Sequence, residues 1–327
     1  MGPTAANLGL VLAGFVLLIG AAEFLVRGAV GLAKASGVSS LLIGLTVVAF
    51  GTSAPELASG LSAVYRGAPD LNLGNVVGSN IANIGLILGA TAMLTPVRCT
   101  LQAVQREVPI MIAVTIVTII LAITGASIER WEAGLLLVGL VAYVGFGYNA
   151  SKRESAAEKA RDEDAEHELE AEFGVGQHPS VPKCLVLVVV GLAGLTFGAN
   201  LLVAGAQELG KMYGVPEFLL GLFVLAIGTS LPEFATSIVA AIRRQPDIVI
   251  GNVVGSNVFN LLGVLGATGL VAPLPTPALA ANRDLWVMLV FALICFPIMR
   301  TGYVIKRWEG AVFILLYIPY AIFCITS

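Results

Sequence analysis

Residues 44–89 read GLTVVAFGTSAPELASGLSAVYRGAPDLNLGNVVGSNIANIGLILG, and residues 221–266 read GLFVLAIGTSLPEFATSIVAAIRRQPDIVIGNVVGSNVFNLLGVLG. With no gap and a constant offset of 177, 24 of the 46 positions are identical. The same offset pairs Lys34 with Lys211, Gly37 with Gly214, Pro96 with Pro273, Arg106 with Arg283, and Arg130-Trp131-Glu132 with Arg307-Trp308-Glu309. The chain is therefore a single unit of about 145 residues written twice, which is the first thing a fold reading must accommodate.

The solvent for both copies follows from composition. Of 327 residues 57% are apolar and 12% charged, with mean hydropathy +0.91. A water-covered domain carries roughly 25% charge, so a soluble enzyme, a nucleic-acid binder and a disordered chain are excluded. The first unit divides into five apolar segments, near 7–33, 39–65, 72–95, 107–126 and 132–149. The second gives 184–210, 216–242, 249–271, 284–300 and 309–326. Each is close to the ~20 residues that cross a bilayer as a helix. The expected fold is an all-α membrane protein of ten transmembrane helices.

Five is odd, so the second copy must enter the membrane from the opposite side, an inverted-topology repeat. The expected organisation is a first five-helix repeat over 1–149, a linker over 150–182 and a second, inverted repeat over 183–327. The linker holds nine acids and four bases and reads as a solvated, partly helical tether without EF-hand spacing. With the N-terminus outside, 13 Lys and Arg fall in inner loops and four (Arg66, Arg130, Lys211, Arg283) in outer ones. That imbalance places both termini outside and the linker in the cytoplasm. The first apolar run lacks a basic n-region and reads as a span, not a cleaved signal.

Glu56 and Glu233 stand out because each lies in the middle of an apolar segment. A carboxylate there costs about 2.5–3.5 kcal/mol on insertion scales, and no Lys or Arg lies in the central part of either helix. It must take up a proton or bind a cation. Each closes a G-T-S-x-P-E run, Gly51 to Glu56 and Gly228 to Glu233. The proline withdraws a backbone donor and frees carbonyls, and Thr52 and Ser53 precede Glu56 by one helical turn, as Thr229 and Ser230 precede Glu233.

The next segment carries G-N-V-V-G-S-N-x-x-N, with Ser79 and Asn83 four apart on one face and Ser256 and Asn260 likewise. Gly74 with Gly78, and Gly251 with Gly255, form G-x-x-x-G packing signatures. Asn80 and Asn257 lie off the main face, where packing or capping is at least as good a reading as ligation. Asn75 and Asn252 read as structural.

The candidate cage is Thr52, Ser53, Glu56, Ser79 and Asn83 with Thr229, Ser230, Glu233, Ser256 and Asn260. Its oxygens suit a hard cation such as Ca²⁺ or Na⁺. The two histidines lie in the linker and the four cysteines form no C-x-x-C pair, so nothing suggests zinc, copper or a disulfide framework. Glu23 and Arg27 form an i,i+4 pair near the inner face. Asp70 and Asp247 follow prolines and suit turns or caps.

The paired GTSAPE/GTSLPE and GNVVGSN motifs resemble the alpha-repeats of the sodium/calcium exchanger family, in the cation/calcium antiporter superfamily. The whole chain is similar to its compact prokaryotic members. The resemblance implies ten helices and exchange of three Na⁺ for one Ca²⁺ at four clustered sites, with the first and sixth helices sliding past a fixed core. It places Ca²⁺ on Thr52, Glu56, Thr229 and Glu233, and Na⁺ also at Ser53, Ser79, Ser230 and Ser256, with Asn83 and Asn260 nearby. Position 260 departs from K⁺-dependent exchangers, which carry Asp there; an amide leaves less anionic charge for a co-transported K⁺.

The function expected is Na⁺-driven Ca²⁺ extrusion by alternating access, with no cofactor and no substrate chemistry. Its partners are the lipid bilayer and inorganic cations, with no nucleic acid and no obligate protein partner, and its location is a prokaryotic plasma membrane. H⁺/Ca²⁺ exchange and K⁺-dependent exchange are the nearest alternatives. A channel would need no counter-ion, and an intramembrane hydrolase would need a nucleophile with a base or metal ligands, whereas the spans contain no His.

Overall fold

A computed structural model describes residues 3–158, 180–215 and 228–326. Ten helices follow in chain order: α1 (Pro3–Ser36), α2 (Ser40–Tyr65), α3 (Pro69–Leu94), α4 (Ala103–Thr124), α5 (Arg130–Glu158), α6 (Val181–Met212), α7 (Leu231–Ile242), α8 (Pro246–Val271), α9 (Ala280–Arg300) and α10 (Arg307–Thr326). Among the described residues all but α7 are long and apolar enough to cross a membrane. The expected seventh span, 216–242, is described only from 228 onward. Of the linker, helix α5 continues through Glu158, and 159–179 lie outside the described residues.

Helices α3 and α8 lie at the centre, α8 buried almost throughout. Apolar side chains on α1, α5, α6 and α10, such as Val16, Val141, Val189 and Leu315, point outward. Such a surface suits lipid, which has no water to demand polar groups. Helices α1 and α6 pack antiparallel along their length through small residues: a Cβ on Gly191 would come 2.6 Å from the Leu25 nitrogen, and one on Gly14 would come 2.6 Å from the Leu202 nitrogen. Gly37 and Gly214, one offset apart, end α1 and α6 at φ +64° and +74°, a conformation that costs glycine little.

Four two-residue strands were not expected from a chain read as all helix. β1 (Val97–Arg98) pairs antiparallel with β4 (Val304–Ile305), and β2 (Ser127–Ile128) with β3 (Leu274–Pro275). The offset of 177 exchanges the two ribbons, and each joins one repeat to the other. The Arg-Trp-Glu repeats finish the same loops. Glu132 accepts the Glu129 N–H at 2.8 Å and Glu309 the Lys306 N–H at 2.7 Å, the acidic half of a capping box in each case.

Arg130 donates to the last carbonyl of α8, Val271, and Arg307 to that of α3, Leu94, again across repeats. Because Glu309 is buried, Glu309→Ala should lower stability by about 1 kcal/mol, the usual worth of an N-cap group. Thermal melting in detergent reads the loss, while transport per folded molecule should be unchanged.

Candidate cation site

Each G-T-S-x-P-E run breaks its helix. In α2 the helix stops at Thr52, Ser53 turns out at φ −81°, ψ 3°, and a new helix begins at Ala54 with Pro55 in its first turn. Ser230 does the same at φ −90°, ψ 5° ahead of Leu231 and Pro232. Proline is accommodated there because its missing N–H is one the first turn leaves unpaired in any case. The break sets Glu56 and Glu233 in the first turns of the new helices, both with essentially no solvent exposure.

The hydroxyls then reach across. Ser53 Oγ donates to Glu233 Oε1 at 3.3 Å, and Ser230 Oγ lies 3.2 Å from Glu56 Oε1 and 3.4 Å from Ser79 Oγ. Thr229, half-buried, also bonds the Glu56 carboxylate. Thr52 Oγ1 lies 3.1 Å from Asn252 Oδ1 and 3.4 Å from Ser256 Oγ. The sequence places Thr52 and Ser53 on one helical face with Glu56; the break at Ser53 instead turns the Ser53 hydroxyl to Glu233 and the Thr52 hydroxyl to Asn252 and Ser256, all of the other repeat.

Asn83 is the first residue of one π-helical stretch, Asn83–Leu88, and Asn260 the second of another, Phe259–Val264, which widen the helix next to the cluster. Asn83 Nδ2 donates to Asn257 Oδ1 at 3.0 Å and Asn260 Nδ2 to Asn80 Oδ1 at 3.1 Å. All ten candidate residues thus fall in one cluster, built from the middles of α2, α3, the start of α7, and α8. Glycine permits this density: a Cβ on Gly251 would meet Gly44 Cα at 2.7 Å, and one on Gly255 would meet Ala49 Cβ and the Leu45 oxygen at 2.7 Å.

Four buried oxygens in the cluster have no hydrogen-bond partner: Glu56 Oε2, Glu233 Oε2, Asn83 Oδ1 and Asn260 Oδ1. Buried polar atoms are normally satisfied, so four orphaned oxygens beside two acids amount to a demand for positive charge. The described side-chain bonds to the two carboxylates come from hydroxyls, and none of them from a lysine or arginine.

Asn252, expected to be structural, is fully buried in the cluster, donating to the Glu233 carbonyl (3.0 Å) and Ser237 Oγ (2.9 Å) and lying 3.1 Å from Thr52 Oγ1. Its spacing four residues before Ser256 was the available signal. Its counterpart Asn75 has neither amide atom bonded. Glu23 bonds Arg27, as the spacing predicts, and also Arg243 Nε at 2.8 Å at the end of α7. Asp70 and Asp247 sit in the first turns of α3 and α8.

The sodium/calcium exchanger protein family model matches residues 6–148 and 183–326. CaxA of Alkalimonas amylolytica is 38% identical over 95% of this chain and 96% of its own. Sodium/calcium exchanger MaX1 of Methanosarcina acetivorans is 32% identical over 97% of each. Among solved structures, the sodium-calcium exchanger NCX_Mj soaked with 10 mM Na⁺ and zero Ca²⁺ superposes with TM-score 0.81 at 30% identity, covering 96% of this chain and 97% of that one. With two motif pairs, a whole-length match and a shared fold in agreement, the chain belongs to the sodium/calcium exchanger family, a family of membrane transporters and not of enzymes.

Proposed function

We propose that the chain binds Ca²⁺ and Na⁺ alternately in the cluster around Glu56 and Glu233, extruding one Ca²⁺ for three Na⁺ by alternating access. The observation that carries this is the set of four orphaned oxygens beside the paired acids. Ca²⁺ takes six to eight oxygens at about 2.3–2.6 Å, and two carboxylates balance its charge. The hydroxyls of Thr52, Ser53, Ser79, Thr229, Ser230 and Ser256, with the amide oxygens of Asn83 and Asn260, complete the shell for either load. Because Ca²⁺ and Na⁺ need the same oxygens, one excludes the other, and exclusion at a site open to one side at a time is sufficient for coupling.

The proposed frame is two inverted five-helix repeats, 1–149 and 183–327, with both termini outside and the 150–182 linker in the cytoplasm of a prokaryotic cell. It is supported by the ribbons: β1 follows three spans and β4 nine, while β2 follows four and β3 eight, so both members of each pair fall on one side of the membrane. In proteoliposomes with pH clamped and no K⁺, an outward Na⁺ gradient should drive Ca²⁺ uptake, and dissipating the gradient should stop it. Uptake driven only by a pH gradient would establish proton exchange instead, and uptake that required K⁺ would establish K⁺ dependence.

A further inference from the structure

Four amides meet at the centre of the fold, Asn80 and Asn83 from α3 with Asn257 and Asn260 from α8, each at most 2% exposed. Asn83 donates its Nδ2 to Asn257 Oδ1, and Asn260 its Nδ2 to Asn80 Oδ1. The offset of 177 exchanges these two bonds. The outer amides are themselves held at their nitrogen ends: Asn257 Nδ2 lies 3.4 Å from Met111 Sδ, while Asn80 Nδ2 donates to the Asn257 backbone carbonyl at 3.3 Å and lies 3.7 Å from Met288 Sδ. Met111 and Met288 are one offset apart, in α4 and α9, and both are buried.

An amide can ordinarily turn end for end, since its oxygen and nitrogen occupy similar space. A thioether removes that freedom because it has lone pairs and no proton, and so accepts from the NH₂ end only. With nitrogen on the sulfur, the Asn257 oxygen is presented to Asn83. With its nitrogen spent on that oxygen, Asn83 must turn its own carbonyl away from the bond. The same logic runs from the Asn257 carbonyl and Met288 through Asn80 to Asn260. In both cases the carbonyl oxygen at the end of the relay is one of the orphaned atoms.

We infer that Asn257, oriented by the Met111 sulfur, and Asn80, oriented by the Asn257 carbonyl together with the Met288 sulfur, are positioning residues that fix the Asn83 and Asn260 carbonyls toward the bound cation. This rests on the cation site proposed above. The two relays cross between repeats, so their coupling is specific: Asn80 acts on Asn260, not on its near neighbour Asn83.

The test is a double-mutant cycle on the full chain in proteoliposomes, reading the half-saturating Na⁺ and Ca²⁺ concentrations and the maximal rate separately. Asn80→Ala, Asn260→Ala, Asn257→Ala and Asn83→Ala should each raise a half-saturating concentration about fivefold, the worth of one hydrogen-bonded group. The crossed doubles Asn80→Ala/Asn260→Ala and Asn257→Ala/Asn83→Ala should be no worse than the worse single. The uncrossed double Asn80→Ala/Asn83→Ala should multiply the two effects.

Met111→Leu and Met288→Leu conserve volume and remove only the acceptor, so they keep the test alive if an alanine variant fails to fold. Met111→Leu should raise the half-saturating concentration about twofold to threefold with an unchanged melting temperature, and Met288→Leu should raise it less, because the Asn257 carbonyl still holds Asn80 Nδ2. Multiplicative crossed doubles, or Met111→Leu without effect on half-saturation, would overturn the positioning role. Asn83→Ala and Asn260→Ala without effect would instead overturn the cation site on which it rests.

Discussion

Glu56→Gln and Glu233→Gln should each abolish Ca²⁺ exchange while leaving the protein folded. Glutamine matches glutamate in shape and retains an oxygen that can accept from Ser230 or Ser53, the hydroxyls now bonded to the two carboxylates. What changes is charge: the cluster keeps one carboxylate against a divalent ion. Leaving a buried charge without its partner costs about 3–5 kcal/mol, and each 1.4 kcal/mol is tenfold in binding.

Exchange should therefore fall by more than about 100-fold in either single variant. Melting temperature in ion-free buffer should hold or rise, because one of two buried carboxyls with an unpartnered oxygen is replaced by a neutral amide. Tracer Ca²⁺ uptake alongside thermal melting measures both. Wild-type exchange in either variant would refute a site shared by the two acids.

The second large effect is structural. In α8, Gly251 and Gly255 let the backbone lie against Gly44, Leu45 and Ala49 of α2, and a Cβ at either position would sit 2.7–2.8 Å from backbone atoms that cannot swing away. Gly255→Ala should cost about 1–3 kcal/mol through overpacking, and Gly255→Val should yield little folded protein. Gly20 in α1 is the control. A Cβ there meets nothing within 4 Å, so Gly20→Ala should be neutral or slightly stabilising in the helix interior. Melting temperature and the monodisperse fraction after detergent extraction read the difference. Equal tolerance at Gly255 and Gly20 would show that the α2–α8 contact is looser than described.

Much of the site was legible before any coordinates. Glu56 and Glu233 were found because a carboxylate in the middle of an apolar run has no innocent explanation, and the duplication made the observation twice over. Ser79, Asn83, Ser256 and Asn260 followed from four-residue spacing. Asn252 reads as structural from its place near the end of its span, and its approach to Thr52 joins two helices that spacing cannot relate. Spacing sets the hydroxyls of Thr52 and Ser53 beside Glu56 because it assumes a continuous helix; the helix breaks at Ser53, ahead of Pro55, and both hydroxyls face the other repeat. Arg130 and Arg307 were paired by the offset, yet their service as caps on α8 and α3 could not be read from a repeat alone.

The amino-acid sequence by itself determined the solvent, the duplication, the ten apolar segments and the buried acids. These follow from local quantities: transfer cost per residue, helical period and the expense of an unpaired charge in lipid. The tertiary structure decided which residue answers which: Ser53 to Glu233, Ser230 to Glu56, Asn83 to Asn257, Asn260 to Asn80. Each of these bonds joins residues 174–180 positions apart in the chain, across helices of different repeats. A side chain's spacing along its own helix carries no record of the helix that will be laid against it.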